Sequence, residues 1–142
     1  MFRLVVRHLR WLARVPGLPQ FFDAGLVAWT ALTDRPRLRA IESLESAAMQ
    51  WPRVQRRPHR FGGIEFRLDG RELGHVHGNG LLDVRLSRSQ RDAQVLTGNA
   101  EPHHVFPDSS WVSFWVRGPA DLSKGCALLR LAYERACDSP TA

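Results

Sequence analysis

Ile64-Glu65-Phe66-Arg67-Leu68-Asp69-Gly70-Arg71-Glu72-Leu73-Gly74-His75-Val76-His77-Gly78-Asn79-Gly80-Leu81-Leu82-Asp83-Val84-Arg85-Leu86 reads as three antiparallel strands joined by two tight turns. Ile64, Phe66 and Leu68 alternate with Glu65 and Arg67, the period-2 pattern of a strand buried on one face. Asp69-Gly70 suits a type I′ turn, because both residues tolerate the positive φ which that turn demands. The chain therefore returns over Arg71–His77 and turns again at Gly78-Asn79-Gly80. The third strand sets Leu82, Val84 and Leu86 on one face and Leu81, Asp83 and Arg85 on the other.

Working outward, the flanks read as helices and further strand. Ser87 or Ser89 caps a short helix that closes at Gly98-Asn99. Glu101–Phe106 carries a second histidine pair, and Trp111–Val116 is a strand rich in β-formers. Gly118-Pro119-Ala120-Asp121 opens a last helix with a core stripe of Leu122, Cys126, Leu129, Ala132 and Tyr133. On the N-terminal side, Phe2–Val15 reads as an amphipathic helix with Arg3, Arg7, Arg10 and Arg14 in one narrow stripe. Pro16-Gly17-Leu18-Pro19 breaks it. Phe21–Leu32 is apolar but too short to span a bilayer, so it reads as a buried core helix. Thr33 or Asp34, with Pro36 behind, starts a helix over Arg37–Gln50 whose Leu38, Ile41, Leu44 and Ala48 share a face. Trp51-Pro52 ends it, and Val54–Arg60 reads as a basic connector.

The expected fold is α+β: N-terminal helices, an antiparallel sheet of about five strands, and a C-terminal helix packed on the sheet. Two segments are expected, a helical one over 1–52 and an α+β domain over 53–142. A chain of 142 residues can bury a core without disulfides. Cys126 and Cys137 lie eleven residues apart on one helix, roughly 16 Å along its axis and beyond disulfide reach. Nothing points to an oxidising compartment, and the expected location is the cytoplasm, at most peripheral to a membrane.

The net charge of +6 is uneven. Met1–Arg60 holds eleven arginines against four acids, whereas Phe61–Ala142 holds nine basic residues against ten acids. The basic character thus belongs to the N-terminal segment. Its arginine stripe beside a broad apolar face suits an anionic membrane surface, contacted through residues 2–15. Nucleic acid is not an expected partner.

Four of the six histidines fall in two short stretches, Gly74–Asp83 and Glu101–His104. His75 and His77, two apart on a strand, face one way. Three readings are open. One is metal-free acid–base work by His75, His77 and His103 or His104, with Asp83 orienting an imidazole. Another is a metal site of His75, His77, Asp83 and His103. The third is a structural role around the turn. His104, Trp111, Phe114 and Trp115 are expected to wall the pocket. No phosphate loop, dinucleotide fingerprint, nucleophile elbow or zinc-ribbon spacing is present.

Several elements together resemble the luciferase-like domain family of bacteria and fungi. They are Ile64-Glu65-Phe66, Glu72-Leu73-Gly74-His75-Val76-His77, the short helix ending at Gly98, Glu101-Pro102-His103, and Trp111-Val112-Ser113-Phe114 with the last helix. The family's characterised fungal member oxidises a hydroxypyrone with molecular oxygen. The resemblance implies an oxidoreductase: an oxygen-using or proton-abstracting site with His75, His77 and His103. The substrate would be a small aromatic or polyketide-like molecule, molecular oxygen the co-substrate, and no bound cofactor is expected.

Overall fold

The computed structural model describes residues 17–139. The helix expected over 2–15, with its arginine stripe, lies outside the described residues. The described chain runs α1 (Leu18–Thr33), α2 (Arg35–Ala48), β1 (Val54–Pro58), β2 (Ile64–Leu68), β3 (Arg71–Val76), β4 (Leu81–Arg85), α3 (Arg88–Leu96), β5 (Glu101–Pro102), β6 (Trp111–Trp115) and α4 (Leu122–Asp138). The strands form one sheet in the order β1-β2-β3-β4-β6-β5, with every neighbouring pair antiparallel. The architecture is α+β, with the C-terminal helix α4 packed on β3 and β4.

Local chemistry accounts for most boundaries. Asp69 (φ 49°) and Gly70 (φ 80°) take the paired positive φ of a type I′ turn between β2 and β3. The Asp34 carboxylate accepts from Arg37 N–H at 3.1 Å and starts α2. Ser87 and Gln90 close a reciprocal capping box on α3, each side chain accepting from the other's backbone N–H.

The sheet has six strands rather than about five, because Val54–Pro58 is paired along its whole length with β2. Past Val54 its side chains are exposed, so no apolar alternation marks this edge strand in the sequence. Pro58 is tolerated there because an edge strand leaves one row of N–H groups unpaired.

One apolar cluster joins sheet and helices. Phe66, Leu82, Val84 and Val112 from the sheet meet Ile41 and Leu44 of α2 and Leu129 of α4. It therefore runs across the division expected near residue 52. Gly74 permits the close approach of α4: a Cβ there would lie 2.5 Å from the Asp83 carbonyl oxygen and 3.2 Å from Leu129 Cδ1.

α1 is not the buried core helix expected from its composition. Its only buried residues are Asp23 and Thr30. Phe21 (79 %), Trp29 (68 %) and Leu32 (83 %) are largely exposed. The helix lies across the β1–β2 and β3–β4 turns and fastens to them by polar groups. Asp23 Oδ1 accepts from Gly78 N–H at 3.0 Å, and Gln20 Nε2 donates to the His59 carbonyl at 3.1 Å. A buried carboxylate needs such partners, and meeting that need turns the apolar side outward. No helix among the described residues is long and apolar enough to cross a membrane.

Candidate active site

The face of the sheet away from the core carries a polar row. Glu65, His75, Asp83 and Ser113 stand directly opposite one another on β2, β3, β4 and β6. Alternation accounts for these four, since Phe66, Val76, Leu82, Val84 and Val112 point into the core. Glu72 joins them through an irregularity. The β2–β3 register slips between Phe66 and Arg67, leaving Leu73 as the extra residue of a β-bulge. Without the bulge, Glu72 and His75 would face opposite sides. With it, Glu72 Oε1 lies 2.7 Å from His75 Nδ1.

Asp83, with none of its surface exposed, is the hub. Ser113 Oγ donates to Asp83 Oδ1 at 2.5 Å. His104 Nδ1 lies 3.5 Å from the same oxygen and 3.3 Å from Ser113 Oγ. Asp83 Oδ2 faces His75 Nε2 at 3.4 Å and His103 Nε2 at 3.7 Å, with no hydrogen-bond partner of its own. His77 stands edge-on to His75 with ring centroids 5.2 Å apart, and its Nδ1 is 3.5 Å from Asp23 Oδ1. The two histidine stretches thus meet around one carboxylate.

The rings differ in charge. Burial works against a charged His75, but Asp83 and Glu72 on its two nitrogens outweigh it and raise its pKa to about 9. His75 is therefore an imidazolium at neutral pH. The Asp83 carboxyl is held far below its usual range: burial would raise it, but His104 and His75 prevail. Glu72 is likewise lowered, its burial offset by His75. His103 is pushed down to about 4, by burial first and the neighbouring His104 and His75 next, against the pull of Asp83. Its Nδ1 accepts from Val105 and Phe106 N–H at 3.1 and 3.0 Å, so its remaining proton sits on Nε2.

His59 had no place among the expected site residues. It follows β1 in the tight turn closed by His59 N–H to the Gly63 carbonyl. Its ring stacks on His75 with centroids 3.8 Å apart and planes at 11°. Its pKa is lowered to about 4 by burial and then by the charge on His75. Asp23, Glu72 and Ser113 were also missed. Among these, only Glu72 had a signal, three residues before His75, and its facing depends on the bulge.

The aromatic residues divide. Trp111 is half-buried beside the cluster, 5.6 Å from His75 and 6.0 Å from His103, ring to ring. Phe61 and Phe106, both about half exposed, lie against His59 and His103. Phe114 does not face the cluster, contrary to expectation: it points to the opposite face and packs on the core. Trp115 shares the face of Ser113, opposite Leu81 on β4.

Ligand-capable atoms gather in three overlapping triads: His59, Glu72 and His75; His75, His77 and Asp83; and Asp83, His103 and His104. Within each, the atoms lie within 4.8 Å of one another. The cluster can hold a proton between two carboxylates, donate hydrogen bonds from a charged ring, or coordinate a cation.

Fold and site together define an α+β domain with a buried histidine–carboxylate cluster on the face of its sheet away from the core. Residues 70–132 match the family model described as Luciferase domain, so this segment is similar to a luciferase domain. That segment runs from the β2–β3 turn into α4 and contains His75, His77, Asp83, His103, His104 and Ser113. Comparisons with curated proteins and with solved structures gave no match.

Proposed function

We propose that this luciferase-like domain is an oxidoreductase acting on a small, planar aromatic or polyketide-like substrate, with molecular oxygen as co-substrate. The observation that carries the reading is the stacked pair His59 and His75, one ring neutral and one charged, beside the half-open rings of Phe61, Trp111 and Phe106. Side-by-side groups whose pKa values are driven apart are the usual means by which one site supplies both acid and base. The His75 imidazolium, locked between Glu72 and Asp83, stabilises the oxyanion of a substrate that has lost a proton. His77 and His103 complete the polar floor, and the aromatic rim receives a flat ring.

Oxygen uptake with a panel of hydroxypyrones and polyphenols tests this. Turnover with at least one member is expected, falling about 100-fold or more in His75→Gln. No uptake with any member, or turnover unchanged in His75→Gln, would overturn it.

We further propose that the protein sits in the cytoplasm against an anionic membrane. The exposed side of α1 supports this, since Phe21, Trp29 and Leu32 form an apolar face on the helix that follows the arginine-rich residues 2–15 in the sequence.

A further inference from the structure

Asp83 Oδ2 is a fully buried carboxylate oxygen with no hydrogen-bond partner. Buried polar atoms are nearly always satisfied, and an orphaned one calls for a missing occupant. Its other oxygen accepts from Ser113 Oγ, so the carboxylate is held with Oδ2 aimed at the imidazoles. His75 Nε2, at 3.4 Å, is too far for a good N–H···O bond. Two donors bound to one tetrahedral ion, each about 2.0–2.2 Å from it, stand roughly 3.4 Å apart.

The surroundings repeat a pattern found around metal-bound histidines, in which a carboxylate braces the ring from behind. Glu72 accepts from His75 Nδ1 at 2.7 Å and so directs Nε2 toward Asp83. Asp23 stands 3.5 Å from His77 Nδ1. Three carboxylates, those of Asp23, Glu72 and Asp83, therefore surround His75 and His77. Among the described residues, the ion pairs formed by these three involve histidines, with no arginine or lysine. An excess of buried negative charge of this kind favours a cation.

We propose that Asp83 Oδ2, His75 Nε2 and a ring nitrogen of His77 form a binding site for one divalent transition-metal ion, with Glu72 and Asp23 bracing the two rings. Two imidazoles and one carboxylate are a donor set suited to the first-row metals rather than to calcium or magnesium. Binding the ion takes the Nε2 proton from His75, so the metal would replace the imidazolium of the proton-transfer reading, and the test below separates the two.

The test uses the full chain, stripped with chelator, dialysed and titrated with Co²⁺. Saturation at one ion per chain is expected, with ligand-field absorption typical of four or five coordination and displacement by Zn²⁺. His77→Ala and Asp83→Asn should weaken Co²⁺ binding by more than about 100-fold. Glu72→Gln should cost about 10-fold, the loss typical of an outer partner. His104→Gln should keep the same ligand-field spectrum with at most a modest loss of affinity, since His104 lies beside the far oxygen of Asp83 and is not a ligand. Absence of saturable binding would overturn the proposal. So would a spectrum lost in His104→Gln and kept in His77→Ala, which would seat the ion among Asp83, His103 and His104. Should Asp83→Asn not fold, the wild-type titration and His77→Ala decide. Stoichiometric metal without oxygen uptake would uphold this site and remove the enzyme reading; full uptake in chelator by protein that takes up no Co²⁺ would do the reverse.

Discussion

His59 and His75 stack face to face with ring centroids 3.8 Å apart, yet they hold opposite protonation states. His75 takes its charge from Asp83 and Glu72, while burial and then that charge keep His59 neutral. Ring ¹⁵N shifts read this directly. In metal-free protein we expect His75 to stay doubly protonated until about pH 9 and His59 to stay neutral down to about pH 4. Removing one brace, in Glu72→Gln, should lower the His75 pKa by about one unit or more. An unchanged His75 titration in that variant would refute the assignment.

Stability should peak near pH 6.5, the ordinary histidine value. The raised pKa of His75 contributes stability that is full below 6.5 and is lost as pH rises through about 9. His59 and His103, lowered to about 4, act oppositely: as pH falls from 6.5 toward 4 the unfolded chain binds protons that the folded one refuses. Asp83 and Glu72, lowered from their usual values, lose their contributions only in stronger acid. Each histidine should be worth on the order of 1–3 kcal/mol. Urea midpoints from pH 4 to 10 would show a flat profile if the protonation states were wrong.

Gly63→Ala should destabilise by about 2 kcal/mol or more, from positive-φ strain and a direct clash. Gly63 has φ +85°, and a Cβ there would come 2.3 Å from the Val76 carbonyl oxygen. The His59 turn is held by the Gly63 carbonyl, so the His59–His75 stack should loosen with it. Denaturant unfolding, together with the His59 ring shift, checks both halves.

Leu82→Ala should cost about 2–5 kcal/mol, because Leu82 is fully buried under α2 and α4. The oxygen-uptake KM should barely move in molecules that remain folded, since Leu82 points away from the cluster.

Phe21→Glu with Trp29→Glu should abolish pelleting with anionic vesicles while leaving the melting temperature within a few degrees. Both side chains are largely exposed, so neither supports the fold. Salt should weaken wild-type binding without eliminating it, because apolar burial and charge act together. Equal pelleting of variant and wild type would end the membrane proposal.

Local rules sufficed for the meander. Alternation over 64–86, the Asp69-Gly70 turn, the Asp34 and Ser87 caps (each as one of two neighbouring candidates) and the α4 stripe were readable, because each rests on contacts within a few residues. They also placed His75, His77 and Asp83 near one another, and the chain order kept His103 and His104 nearby. Which side chains complete the cluster was a matter of tertiary structure. The Leu73 bulge decides that Glu72 faces His75, and no propensity announces a one-residue slip in register. His59 belongs to the cluster only because β1, an edge strand without apolar alternation, ends there and its turn folds over β3. Phe114 left the expected pocket by the same parity that set Ser113 beside Asp83. α1 shows the limit most plainly. Its composition implies burial, but its one charge, Asp23, needs the Gly78 N–H. Satisfying that buried carboxylate fixed which side of the helix faces in.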